Sequence, residues 1–170
     1  YTPREQGLRF VHAGVPRVLF SQPMVNEEAV DATLVYGVNH ASLPADARLV
    51  SNASCTTNCS VPLLKLLNEA VGLEYVSITT IHSAMNDQPV IDAYHHADLR
   101  RTRSAFQSMI PVSTGLARGI ERLLPELSGR IQAKAIRVPT VNVSALDITL
   151  QTTRDTSAAE VNALLRAAAE

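Results

Sequence analysis

The sequence contains few cysteines: Cys55 and Cys59 are its only two, and they lie four residues apart. One such pair in 170 residues is not the disulfide framework that stabilises small secreted domains. If this stretch is helical, a regular helix also holds the two side chains too far apart for easy bridging. The pair therefore indicates two reduced thiols in a cytoplasmic protein.

Long apolar runs are also absent. No stretch of about 18 apolar residues occurs, which excludes a transmembrane helix, and the first residues show no secretory signal. The formal net charge is only −1, so no strong electric field favours nucleic acid or a membrane as a partner. With 46% hydrophobic and 18% charged residues, the composition is that of a globular protein, for which we predict no metal cofactor.

Glycine is scarce as well. The chain has seven glycines, and none stand in the G-x-G-x-x-G spacing of a dinucleotide-binding turn. The last residues, from Ser157 on, have the pattern of a helix that is still running at the final residue. We therefore expect the chain to be an internal piece of a longer enzyme.

What is present has the rhythm of an α/β protein. A helix that ends near Gly14 precedes a short buried strand at residues 17–21, and two further strands follow by Ser51. A helix that ends at Gly72 and a β-branched strand at residues 75–81 come next. Residues 83–111 are polar and irregular, which is typical of a functional segment. Ser113 is predicted to cap a helix that runs to about Leu124.

Cys55 is the first candidate for chemistry. It follows Ser54, a plausible helix N-cap, so its thiol would lie between a strand and a helix N-terminus. Such a position favours the thiolate, which is the reactive form, because unpaired N–H groups and the helix dipole point toward it. Burial as a small inert hydrophobe is the competing interpretation, and position alone does not decide between the two.

Three more features could complete an anion-binding active site. His82 ends a predicted strand at the edge of the sheet where α/β proteins bind ligands, and a histidine there could activate a cysteine. Arg137 stands among apolar residues in a predicted strand, where a buried guanidinium needs an anionic partner. The segment Ser113, Thr114 and Gly115 at a helix start could bind phosphate, although capping explains it equally well.

Several motifs in order resemble the glyceraldehyde-3-phosphate dehydrogenase family. Residues 51–59, which read SNASCTTNC, resemble the active-site signature of that family. Residues 79–82 (TTIH), 110–115 (IPVSTG), 124–127 (LPEL) and 137–142 (RVPTVN) are similar to further motifs of the family. The resemblance covers essentially the whole chain.

Within that family, the chain resembles the bacterial D-erythrose-4-phosphate dehydrogenase branch. Residues 81–88, 90–95 and 98–103 carry this closer likeness. Met85 and Asp87 stand where typical glyceraldehyde-3-phosphate enzymes have threonines, one of which helps to bind the substrate phosphate. The resemblance thus implies oxidation of a four-carbon phosphosugar aldehyde to 4-phosphoerythronate, a precursor of pyridoxal phosphate.

The resemblance also implies roles for individual residues. Cys55 would be the nucleophile and His82 the residue that activates it, with NAD as the cofactor. Ser21 would contact that cofactor. The residues that would bind substrate or phosphate are Ser54, Thr56, Arg101, Thr114, Gly115 and Arg137.

The implied architecture is α/β with an α+β catalytic domain. Residues 1–53 would be the end of a Rossmann NAD-binding domain, and residues 54–170 most of a catalytic domain with a mixed sheet. Residues 83–109 resemble the loop that packs between subunits of a homotetramer. Without the rest of the cofactor site, these 170 residues alone should not act as a dehydrogenase.

Three alternatives to this function remain. The first is the phosphorylating glyceraldehyde-3-phosphate dehydrogenase reaction of glycolysis. The second is a cysteine hydrolase that uses only Cys55 and His82. The third is a truncated, non-catalytic interaction module.

Overall fold

A computed structural model describes residues 3–24, 26–95 and 98–169. The first part of the chain forms a three-stranded parallel sheet with the strand order β1-β3-β2 and one helix beside it. Its elements are α1 (Arg4–His12), β1 (Val18–Phe20), β2 (Ala32–Thr33) and β3 (Leu49–Ser51). The helix, the strand that follows it and the strand that ends at Ser51 confirm the α/β pattern predicted from the sequence.

Helix α1 packs closely on this sheet at Gly7. A Cβ at Gly7 would lie 2.7 Å from Cζ of Phe20 and 2.9 Å from Cδ2 of Leu49, so a larger residue would push the helix away. Val11 and Val30 complete the small apolar core, together with Leu49. In the polar segment of residues 26–31, Ala29 and Val30 are buried, and Val30 belongs to this core.

Asp31 fastens three segments of the first sheet together. Its carboxylate accepts hydrogen bonds from the backbone N–H groups of Arg48 and Leu49 at 2.8 and 2.9 Å, and it forms an ion pair with Arg4 at 2.6 Å. Partial burial acts to raise the pKa of Asp31. Three groups outweigh the effect of burial and hold the pKa of Asp31 below the ordinary value: the Leu49 N–H, the Arg4 guanidinium and the Arg48 N–H.

The rest of the chain forms a mixed four-stranded sheet with helices. The strand order is β5-β6-β4-β7; β4 and β6 are parallel, whereas β5 and β7 are antiparallel to their neighbours. The elements are α2 (Cys55–Val71), β4 (Leu73–His82), β5 (Ile110–Val112), α3 (Leu116–Leu123), β6 (Ile131–Arg137), β7 (Ala145–Thr152) and α4 (Ala158–Ala169). The α/β class and the predicted mixed sheet are therefore confirmed.

The main core lies between this sheet and α2 and α3. From Val76 onward, alternate residues of β4 point into it, so that Val76, Ile78 and Thr80 are buried while residues between them are more exposed. Leu64 of α2 and Ile120 of α3 are fully buried against the same face. Among the described residues, no helix is long and apolar enough to cross a membrane.

Helices α2 and α3 both begin at the edge of the sheet where β4 ends. Helix α2 runs down from Cys55 to Val71, and β4 returns upward to His82. Helix α3 descends beside α2, because Gly119 lets it approach Thr57 so closely that a Cβ there would lie 3.0 Å from the Thr57 hydroxyl. The N-termini of α2 and α3 and the carboxyl ends of β4 and β6 therefore all lie at this edge.

Candidate active site

A strained turn leads from β3 into the helix that carries Cys55. Ala53 has a φ of +55°, a conformation that costs a residue with a side chain about 1 kcal/mol or more. The side chain of Asn58 clamps this turn, because its Nδ2 donates to the carbonyls of Asn52 at 2.6 Å and Ser54 at 2.9 Å. The two carbonyls lie on either side of Ala53, so the clamp fixes the direction in which the helix starts.

Cys55 is the first residue of α2, as predicted from the Ser54 cap. The Ser54 hydroxyl accepts a hydrogen bond from the N–H of Thr57 at 3.1 Å, which confirms the cap. The Cys55 N–H belongs to the first helical turn, where backbone donors lack partners within the helix. Cys55 is exposed, so the alternative interpretation of a buried, inert cysteine is wrong.

His82 ends β4 and contacts the thiol of Cys55. The distance from Cys55 Sγ to His82 Nε2 is 3.6 Å, although the two residues lie 27 positions apart in sequence. The other ring nitrogen, Nδ1, is 2.8 Å from the carbonyl oxygen of Ser83. A carbonyl can only accept, so Nδ1 carries a proton in this contact, and in the neutral ring Nε2 then presents its lone pair to the thiol.

A cavity of about 300 Å³ opens beside this pair of residues. Of its lining residues, Cys55, Thr56 and His82 were predicted from the sequence, whereas the loop that forms the opposite wall was not. That loop contributes Asn142, Val143 and Ser144, followed by Leu146, and the remaining lining residues are Cys59 and Ser83. The available signal was a polar loop after Pro139, between two predicted strands, at the same edge of the sheet as His82.

The turn in this loop is strained. Val143 has a φ of +67°, which is unusual for a β-branched residue, and Asn142 Oδ1 accepts the Val143 N–H at 2.9 Å. Backbone conformations of this kind cluster at functional sites, where the surrounding structure holds them.

Arg137 lies next to His82 on the neighbouring strand. The two residues are register partners in the parallel pair of β4 and β6, so their side chains leave the sheet on the same side. Arg137 is half-buried and also stands opposite Ile110 of β5. The predicted strand arginine is therefore at the edge of the sheet that carries Cys55 and His82, where it adds positive charge.

Arg101 is held by two carboxylates. Its Nη1 donates to Asp87 at 2.6 Å, and its Nε lies 3.7 Å from Asp98. Asp98 also binds Arg100, whose guanidinium and N–H hydrogen bonds hold the pKa of Asp98 below its ordinary value. Arg101 is not among the residues that line the Cys55 cavity, and neither is Arg137.

The predicted phosphate segment lies at the start of α3. Gly115 is the N-cap residue, and the Thr114 hydroxyl accepts the N–H of Leu116 at 3.2 Å. The prediction that Ser113 caps this helix is wrong, because the helix begins at Leu116, too far along for Ser113 to reach its first N–H groups. The backbone donors at this end still point toward the shared edge of the sheet.

Ser21 follows β1 at the carboxyl edge of the first sheet and is exposed. The chain beside it is tied to the segment before Cys55, because Asn52 N–H donates to the Phe20 carbonyl at 2.8 Å and the Ser51 hydroxyl donates to the Gln22 carbonyl at 2.8 Å. The carboxyl edge of a parallel sheet is where dinucleotides bind in α/β folds. Ser21 is thus placed where a cofactor contact would be.

Together these elements supply the parts that nucleophilic catalysis by a thiol requires, beside a positively charged edge of the sheet. The site has an exposed thiol, a ring nitrogen that can take a proton, and a positively charged edge formed by helix N-termini and Arg137. In the part of the chain that the structure describes, no group of three or more histidine, cysteine, aspartate or glutamate side chains could hold a metal ion.

Comparison with known protein families agrees with this geometry. The model of the glyceraldehyde 3-phosphate dehydrogenase C-terminal domain matches residues 54–170, which is more than half of the chain. The match begins at the cap residue of α2 and includes both Cys55 and His82. The chain therefore belongs to the glyceraldehyde-3-phosphate dehydrogenase family of NAD-dependent oxidoreductases.

Proposed function

We propose that this chain carries the catalytic centre of an NAD-dependent dehydrogenase that oxidises D-erythrose 4-phosphate to 4-phosphoerythronate, a precursor of pyridoxal phosphate. The observation that carries the proposal is the 3.6 Å contact between Cys55 Sγ and His82 Nε2 beside an open cavity. A thiol and an imidazole in this arrangement form an activated nucleophile. Family membership supplies the reaction type.

The reaction begins with addition of the Cys55 sulfur to the aldehyde carbon, as the carbon–oxygen double bond opens and the thiol proton passes through His82 to the new hydroxyl. His82 Nε2 then takes the proton from the hydroxyl of the resulting hemithioacetal as hydride leaves the same carbon. Bound NAD supplies the acceptor for that hydride. The product of this half-reaction is a thioester on Cys55, with the imidazole ring protonated.

Hydrolysis of the thioester completes the cycle. Water adds to the thioester carbonyl, the carbon–sulfur bond breaks, and the departing sulfur takes the proton from His82. The released acid loses its own proton to solvent. The Cys55 N–H in the first turn of α2 and the protonated His82 ring are the candidate donors to the oxyanion.

Binding of NAD is supported by the placement of Ser21. The cofactor would lie along the carboxyl edge of the first sheet, where Ser21 is exposed and where the hydrogen bonds of Asn52 and Ser51 join the edge to the Cys55 turn.

Substrate phosphate binding is assigned to the positive edge of the second sheet. Arg137 and the backbone donors at Thr114 and Gly115 are the main candidates, with Ser54 and Thr56 closer to the thiol. Arg101 could contribute only with its charge already shared with Asp87 and Asp98, so we expect it to bind phosphate more weakly than Arg137.

Met85 supports a four-carbon substrate over a three-carbon one. It has no hydroxyl to donate to a phosphate, and it lines a second cavity of about 330 Å³ with apolar neighbours such as Phe106 and Val141. The hydroxyl contact that threonine makes in typical glyceraldehyde-3-phosphate enzymes is therefore lost at this position.

The test is an assay with both aldehydes, with and without inorganic phosphate, on a protein that carries this chain together with a complete nucleotide-binding domain. We expect NAD reduction with erythrose 4-phosphate that does not need inorganic phosphate. A strong phosphate requirement with glyceraldehyde 3-phosphate as the better substrate would favour the glycolytic reaction instead. Turnover of an ester without NAD would favour a hydrolase.

Cys59 provides a matched control for the nucleophile, since it is exposed and lines the same cavity. Cys55→Ser should reduce kcat by at least about a thousandfold, because a hydroxyl is a far weaker nucleophile than a thiolate. Cys59→Ser should keep activity within about threefold of the wild type. Equal losses in the two variants would contradict the assignment of Cys55.

We further propose that residues 83–109 pack between subunits of a homotetramer. This segment exposes large apolar side chains, including Ile91 at 75% and Tyr94 at 85%, which is more than a monomer surface usually concentrates in one loop. Tyr94→Asp should dissociate the assembly in sedimentation velocity experiments. Tyr36→Asp, at an equally exposed tyrosine outside the loop, is the control and should leave the assembly intact.

A further inference from the structure

The peptide that joins His82 to Ser83 is held at both of its polar ends. The His82 carbonyl accepts the N–H of Val138 at 2.8 Å, which continues the pairing of β4 with β6. The Ser83 N–H donates to the hydroxyl oxygen of Ser144 at 3.1 Å. The orientation of this peptide plane therefore depends on one backbone bond and one side-chain bond.

The next peptide, between Ser83 and Ala84, is held in the same way. The Ala84 N–H donates to the Thr140 carbonyl at 3.0 Å. The Ser83 carbonyl accepts the proton on Nδ1 of His82 at 2.8 Å. In the neutral ring, this second peptide thus favours the tautomer with the proton on Nδ1, which leaves the lone pair of Nε2 toward Cys55.

Ser144 is the residue whose side chain supplies one of the hydrogen bonds to these two peptides. Of the four bonds that fix the two peptides, two are between backbone groups, and one comes from the His82 ring itself. The fourth comes from Ser144, which lies just before β7 and directly after the strained Val143. Ser144 also lines the cavity beside Cys55, so a change in its position would alter the surroundings of the thiol.

We propose that Ser144 is a positioning residue for His82: by holding the peptide after His82, its hydroxyl keeps the Ser83 carbonyl aimed at Nδ1 and the unprotonated Nε2 aimed at Cys55. The inference deepens the proposed function, since it matters for catalysis only if His82 activates Cys55. Ser144 does not touch the reacting sulfur through a hydrogen bond; it acts through Ser83 and the ring.

The variants needed are Ser144→Ala, which removes the hydroxyl, and Ser144→Thr, which keeps it. Ser128→Ala is the matched control, because Ser128 is exposed and precedes β6 at the opposite end of the sheet from His82. All variants are made with Cys59→Ser, so that Cys55 is the single thiol. The readouts are the rate of alkylation by iodoacetamide against pH and the protonation pattern of the His82 ring nitrogens by ¹⁵N NMR.

We expect Ser144→Ala to lower the alkylation rate at pH 6.5 by roughly three- to tenfold, the effect of losing one hydrogen bond, with little change at pH 9.5 where the thiol ionises without help. Ser144→Thr and Ser128→Ala should follow the parent profile. In the NMR spectra, Ser144→Ala should mix the two ring tautomers, whereas the parent keeps the proton on Nδ1.

The inference is overturned if Ser144→Ala leaves both the profile and the ring signals unchanged, or if Ser144→Thr behaves like Ser144→Ala. A parent that alkylates no faster at pH 6.5 than a free cysteine contradicts activation by His82, and with it the proposed function. In that case the ring tautomer still decides the role of Ser144, so the two failures are distinguishable.

Discussion

The clamp that Asn58 forms over the turn before Cys55 gives the sharpest prediction about stability. Replacement by alanine removes two hydrogen bonds, to the carbonyls of Asn52 and Ser54. The Ser54 carbonyl keeps a partner, since the Asn58 N–H donates to it at 2.9 Å, and Asn52 is exposed, so water can replace the lost donor there. The cost should therefore be about 1 to 2 kcal/mol rather than the larger cost of a buried unpaired group.

Helix propensity acts in the opposite direction and must be subtracted. Alanine is favoured over asparagine inside a helix by roughly 0.5 kcal/mol, and Asn58 lies in the first turns of α2. Asn162 on α4 is an exposed asparagine and serves as the matched control. We expect Asn162→Ala to stabilise the protein by about that amount and Asn58→Ala to destabilise it by about 0.5 to 1.5 kcal/mol.

Urea unfolding followed by circular dichroism measures both changes, and alkylation of Cys55 reports on the turn itself. Without the clamp, the strain at Ala53 can relax by moving the start of the helix, so the alkylation rate near pH 7 should fall in Asn58→Ala and not in Asn162→Ala. If the two variants differ by less than about 0.3 kcal/mol and alkylate equally fast, the clamp contributes nothing and the reasoning is refuted.

Three further predictions concern the fold. Asp31→Asn should flatten the pH dependence of the free energy of urea unfolding below about pH 4. Because the pKa of Asp31 is lowered in the folded state, the stabilisation by its carboxylate is present at neutral pH and is lost as the pH falls through the folded pKa. An unchanged pH dependence below about pH 4 would contradict this. Gly72→Ala should destabilise by at least about 2 kcal/mol, since its φ is +68° and a Cβ would lie 2.1 Å from the Thr153 hydroxyl; thermal unfolding of the variant with and without Thr153→Ala separates the clash from the backbone strain. Ile120→Ala should lower the free energy of urea unfolding by about 2 to 5 kcal/mol, because this side chain of α3 is fully buried in the main core. A loss below about 1 kcal/mol would show that neighbouring side chains refill the cavity.

The elements around Cys55 were predictable because local signals there agree with the tertiary structure. Serine is among the residue types that cap helices best, and Ser54 is the N-cap of α2 in the structure. Gly72 has the positive φ that often ends a helix. The β-branched run of β4 favours a strand locally, and it forms one in the fold. In each case, propensity, pattern and packing favour the same conformation.

Contacts between distant segments were not predictable in the same way. The approach of His82 to Cys55 depends on the lengths of α2 and β4, which together return the chain to the edge from which it started. Local patterns predict Cys55 at a helix start and His82 at a strand end, but they carry no signal that these two ends coincide. The family resemblance supplied that pairing, and the 3.6 Å contact shows it in this chain.

The pairing of Arg101 with Asp87 shows why charge alone is a weak guide to a binding site. An arginine in a polar loop suggests an anion, but the chain itself provides that anion 14 residues earlier. The approach depends on how residues 83–109 fold, and nothing in the local pattern reveals it. Arg137 differs because its position inside a strand fixes its neighbours, so its place beside His82 follows from strand register.

The wall of the cavity formed by Asn142, Val143 and Ser144 was missed for a related reason. No propensity assigns a positive φ to valine, so the turn that directs Ser144 toward Ser83 has no signal in the sequence. The function we infer for Ser144 also passes through backbone groups, which every residue type possesses, rather than through a distinctive side chain. Residues that orient a catalytic group through the main chain therefore leave the weakest trace in a single sequence, and the geometry of the peptides around His82 is what reveals this one.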